Sequence, residues 1–72
     1  MLARITMQIT LNTTELTVAE SITVQQLLNA QDISEVGLAI AINNTVLAKR
    51  LWPAHQLQQN DALQLFQLVT GG

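Results

Sequence analysis

Only one stretch of this chain reads as a helix, and it is too short to stand alone. Thr23 precedes it as an N-cap, and Gln26, three places on, completes a capping box in which each side chain satisfies the other residue's backbone N–H. Ile22 and Leu27 take the hydrophobic-staple positions around that cap. Val24, Leu27 and Leu28 form a narrow apolar face, with Gln31 just off the stripe. So short a helix does not persist in water without tertiary support. It must lie on a sheet, and the rest of the sequence has to supply one.

It does. Ile5, Met7, Ile9 and Leu11 alternate with Thr6, Gln8 and Thr10, the period of a half-buried strand. Asn12, Thr13 and Thr14 are turn-prone, and Leu16 and Val18 then alternate with Glu15 and Thr17 as a second strand, antiparallel to the first. After the helix, residues 29–36 read as its end and a polar loop, and Gly37 breaks the chain before the next strand. Residues 38–42 are apolar on both faces, which suits an interior strand. Asn43 and Asn44 turn the chain into a short strand over residues 46–48. Around Pro53, residues 51–55 should be irregular or 3₁₀. Asn60 and Asp61 mark another turn, and a last apolar strand starts at Ala62 or Leu63.

This order, two strands, a helix and three more strands, predicts an α+β fold: a mixed sheet of four to five strands packed on one helix. A right-handed crossover through the helix leads from the second strand to a parallel position. The long last strand is suited to pair with the first at the sheet's centre. That is the β-grasp, ubiquitin-like arrangement, in a single domain over residues 1–72. Met7 is a candidate alternative start, because the alternation survives without the first six residues.

Composition excludes several classes. With 49% hydrophobic and 11% charged residues, the chain is a packed globule. Three basic residues in all, at net charge −2, leave no electrostatic footprint for nucleic acid. The absence of cysteine removes disulfides, thiolate metal sites and a thiol nucleophile. No apolar run is long enough to cross a bilayer, and no signal peptide is recognisable, so a cytoplasmic protein is expected. His55 stands without a second His, Cys or carboxylate at ligand spacing, so no metal site is expected. Trp52 reads as a lid on a small core, and Lys49 and Arg50 as a solvated pair. Glu15, Glu20, Asp32, Glu35 and Asp61 are scattered, with no dyad for acid–base work.

The sequence closes on Gly71 and Gly72, directly after the last strand. Without Cβ atoms, such a stalk can enter a narrow groove and present an ionised carboxylate for activation. A frayed end is the plain alternative. If Leu63 and Leu65 face the helix, alternation turns Phe66 and Leu68 to the open face of the sheet, beside the stalk. An aromatic and a leucine there would form a partner-binding patch.

Several pieces together resemble the ThiS family, the sulfur carrier proteins of thiamine biosynthesis. They are the run Met7-Gln8-Ile9 into Asn12, Thr23-Val24 followed by Leu27-Leu28, Ala39-Ile40-Ala41-Ile42-Asn43, Trp52, Asp61 and the Gly71-Gly72 end. The resemblance spans residues 7–72. Asn60 stands where a glycine is common, Ala48 where a proline is common, and Thr70 where a smaller residue is usual.

The resemblance implies a carrier and not an enzyme, with no catalytic side chain and no cofactor bound by the carrier itself. A ThiF-like adenylyltransferase would use ATP and Mg²⁺ to convert the Gly72 carboxylate to an acyl-adenylate. A persulfide sulfur donor would displace AMP and leave a terminal thiocarboxylate. A ThiG-like thiazole synthase would then take the sulfur. Gly72 would react and Gly71 would give reach. Two alternatives share the terminal glycines. One is the small subunit of molybdopterin synthase, which tends to have a longer chain, and the other is a ubiquitin-like modifier or binding module.

Overall fold

The computed structural model describes residues 6–67. Expectations that fall on Met1, Ile5, Leu68, Thr70, Gly71 and Gly72 therefore lie outside the described residues. The elements follow in the order β1 (Thr6–Leu11), β2 (Thr14–Ala19), α1 (Val24–Ala30), β3 (Leu38–Ile42), β4 (Thr45–Leu47), a 3₁₀ turn (Lys49–Leu51) and β5 (Ala62–Gln67). They build one five-stranded sheet in the order β2-β1-β5-β3-β4. β5 lies at the centre, parallel to β1 and antiparallel to β3. Since β2 is antiparallel to β1, the helix connects β2 to a strand that runs parallel to it from the far half of the sheet. This is the α+β, β-grasp architecture, with a mixed sheet on one helix.

Val24, Leu27 and Leu28 are fully buried against Met7, Ile9, Ile40, Ile42 and Leu63. Burying each such side chain stabilises the fold by roughly 1.5–3 kcal/mol, which outweighs what so short a helix lacks on its own. The capping box is present as read. Gln26 N–H donates to Thr23 Oγ1 at 3.1 Å, and Thr23 N–H donates to Gln26 Oε1 at 3.0 Å. The two remaining donors of the first turn find a distant loop: Val24 N–H bonds the His55 carbonyl and Gln25 N–H the Trp52 carbonyl. Leu57 N–H also donates to the Ile22 carbonyl, which presses Leu57 into the core at 2% exposure. At the other end Asp32, at φ 57, takes the left-handed position that closes the helix.

The turns follow the residues chosen for them. Asn43 and Asn44 both have positive φ, as a two-residue hairpin turn requires, and β4 begins one residue earlier than expected, at Thr45. Gly37 sits at φ 66 before β3, and Asn60 at φ 70 before β5. The 3₁₀ turn lies two residues ahead of its expected start, at Lys49. Leu51 N–H and Trp52 N–H bond the carbonyls of Ala48 and Lys49, and the run breaks at Pro53, which has no N–H to continue it.

Candidate functional site

β5 is the strand that leads to the terminal glycines, and its two faces differ in chemistry. Leu63 is fully buried and Leu65 half-buried against the core, as the alternation predicted. Phe66 is on the opposite face and is 50% exposed. Its cross-strand partner on β3 is Ala39. A methyl group gives the ring nothing tall to lean on, so it stands out from the sheet. Along the same face Ala41 pairs with Gln64 on one side and Val46 on the other, and Val46 is 73% exposed. Phe66 and Val46 thus flank a floor of two alanines on the side away from the helix. Val46 had no signal in the sequence, because a short edge strand does not reveal which face its middle residue takes. Leu68, the other expected member of the patch, and the Gly71-Gly72 stalk lie outside the described residues.

β5 is strapped at two points, its start and its middle, by asparagines from turns. At its start, Asn43 Oδ1 accepts from Ala62 N–H at 3.0 Å, and Asn43 N–H donates to the Ala62 carbonyl at 2.8 Å. Asp61 is held in the same cluster, its Oδ2 accepting from Gln58 N–H at 2.9 Å. Further on, Asn12 Oδ1 accepts from Leu65 N–H at 3.0 Å. Neither strap was legible in the sequence, where both asparagines read as turn formers and as part of the family resemblance.

The other candidates take structural roles. Trp52 is 1% exposed and belongs to the core, with Nε1–H donating to the Leu47 carbonyl at 3.2 Å. Lys49 is more engaged than a solvated cation. Its Nζ lies 3.8 Å from Glu35 Oε1 and 5.9 Å from the Trp52 ring centroid. Glu35 also accepts from Gln25 Nε2, so the loop after the helix is tied back to it. Arg50 is exposed. His55 is half-buried beside an open groove that Ile42, Val46, Leu47 and Asp61 also line. Among the described residues no three His, Cys, Asp or Glu side chains come together at metal-binding distance. No helix there is long and apolar enough to cross a membrane.

Comparison with known proteins agrees with this geometry. The model of the ThiS family matches residues 4–72. The sulfur carrier protein ThiS of Escherichia coli K12 is 36% identical over 66 residues, covering 92% of this chain and 100% of that protein. The crystal structure of the thiamine biosynthesis protein ThiS from Geobacter metallireducens superposes with a TM-score of 0.79 at 29% identity, over 92% of this chain and 100% of that one. The solution structure of a thiamine biosynthesis protein from the same organism gives 0.72, with 88% of its chain covered. With one sheet-and-helix plan shared along nearly its whole length, the chain belongs to the ThiS family.

Proposed function

We propose that this protein is the sulfur carrier of thiamine biosynthesis and that the Gly72 carboxylate is its reacting group. The observation that carries the reading is the family match, which extends from residue 4 to Gly72. A carboxylate is a poor electrophile, so it must first be coupled to a leaving group. A ThiF-like adenylyltransferase transfers AMP from ATP, with Mg²⁺, to the Gly72 carboxylate and releases pyrophosphate. The terminal sulfur of a persulfide displaces AMP, and a thiol then takes the donor's remaining sulfur, freeing the thiocarboxylate. That nucleophile delivers sulfur to a ThiG-like thiazole synthase and returns as carboxylate. Adenylation consumes ATP, so the reading implies a cytoplasmic protein.

The chain itself contributes presentation. Gly71 and Gly72 have no side chains to obstruct a narrow active site. Phe66, half exposed on the open face of β5, and Leu68 two residues on supply the apolar contact that holds the body on its partners. Such remote binding keeps the reacting end in position.

Intact-mass measurement tests the reading. The chain is incubated with ATP, Mg²⁺, purified ThiF-like adenylyltransferase and a persulfide donor. Exchange of one oxygen for sulfur is expected, lost when Gly72 is deleted and reversed by thiazole synthase with its substrates. A mass that stays unchanged, or a Gly72-deleted chain that still gains sulfur, overturns it.

A further inference from the structure

β5 is paired unequally on its two flanks. On the β3 side its register runs from Leu63 to Gln67, opposite Ile42 to Leu38. On the β1 side it ends at Leu63, opposite Leu11. Rungs on that side include Thr10 N–H to the Asp61 carbonyl at 2.9 Å and Asn12 N–H to the Leu63 carbonyl at 2.8 Å. In a regular parallel ladder the next rung joins Leu65 N–H to the backbone carbonyl of Asn12. Asn12 leaves the strand at that point, at φ 57, to begin the turn into β2. Its side chain supplies the rung instead, through the 3.0 Å bond from Leu65 N–H to Oδ1.

We propose that Asn12 is a positioning residue: its side-chain carbonyl adds one rung past the end of β1 and fixes the direction in which β5 leaves the sheet toward the reacting end. The inference rests on the carrier reading above. Two demands meet at this position, a left-handed backbone and an acceptor one carbon out from the main chain. Asparagine and aspartate meet both. Glycine meets only the first, which makes it the informative substitution. Without the rung, β5 beyond Leu63 is held on its β3 flank alone, and a swing there is amplified along the chain that follows.

Wild type, Asn12→Gly and Asn12→Asp are compared below their melting range in two measurements. In hydrogen exchange, Leu65 N–H should exchange on the order of ten-fold faster in Asn12→Gly and near the wild-type rate in Asn12→Asp. In adenylation by purified ThiF-like adenylyltransferase with ATP and Mg²⁺, Asn12→Gly should lower kcat about ten-fold with KM for the carrier unchanged, and Asn12→Asp should restore it. A variant that is only less stable leaves kcat alone at these temperatures. Equal kcat for wild type and Asn12→Gly overturns the positioning role, and unchanged exchange at Leu65 overturns the rung itself. A wild-type chain that is not adenylated at all sinks the carrier reading, and the exchange comparison then decides the Asn12 rung alone.

Discussion

Asn43 donates from Nδ2 to Asp61 Oδ1 at 3.1 Å, joining the β3–β4 turn to the residue just before the central strand. The same asparagine bonds both backbone groups of Ala62 and has φ 50. Two separable contributions follow. Asn43→Gly keeps the backbone and loses the side-chain bonds, about 1–2 kcal/mol. Asn43→Ala loses the same bonds and adds roughly 1–2 kcal/mol for forcing a Cβ-bearing residue without a polar side chain into the left-handed region. Urea unfolding of the two variants should therefore rank wild type, then glycine, then alanine. Glycine at or below alanine would show that the side-chain bonds dominate and the backbone does not.

Phe66 should separate binding from stability. The ring is half exposed over Ala39, so Phe66→Ala is expected to cost less than about 1 kcal/mol in unfolding. If the open face docks the adenylyltransferase, KM for the carrier should rise about ten-fold, the effect of losing an interface anchor. Equal proportional loss in both measurements would mean the ring serves the fold and not the partner.

The helix depends on its cap. Thr23→Ala removes the acceptor for Gln26 N–H and should lower stability by about 1 kcal/mol. Thr23→Ser keeps the hydroxyl and should recover most of it. Thermal unfolding followed by circular dichroism checks the order, and a serine variant no better than alanine would assign the loss to packing of the threonine methyl.

Trp52 is the only tryptophan, and at 1% exposure it should emit like an indole in an apolar site. Its fluorescence should resist acrylamide quenching and shift red in one step on unfolding. Trp52→Phe removes the donor to the Leu47 carbonyl and leaves unfilled volume, for a loss of about 2–4 kcal/mol. A red-shifted, readily quenched emission from the native protein would contradict the burial.

What the sequence made legible was whatever is encoded within a few residues. The Thr23–Gln26 box, the alternation in β1 and β5, and the asparagine turns are of that kind, and each formed where its pattern lies. What stayed hidden depends on residues distant in the chain. Leu57 stands between Gln56 and Gln58 with no local pattern, and it is buried where its N–H meets the Ile22 carbonyl. Lys49 finds Glu35 and the Trp52 ring only once the helix lies on the sheet. Asn12 is the sharpest case. Its turn-forming tendency is local, but its bond to Leu65 spans 53 positions and exists only because β5 inserts beside β1.

That insertion has a consequence for biosynthesis. β5 leaves the ribosome after every other described element, yet it fills the slot between β1 and β3, without which the two halves of the sheet share no edge. A nascent chain lacking it has a hairpin on each side and an uncovered helix face between them. Cooperative unfolding should thus vanish in chains truncated before Ala62. A partner that grips the assembled sheet would meet only chains in which β5 is in place, so one stalled or clipped before Ala62 could not compete for activation.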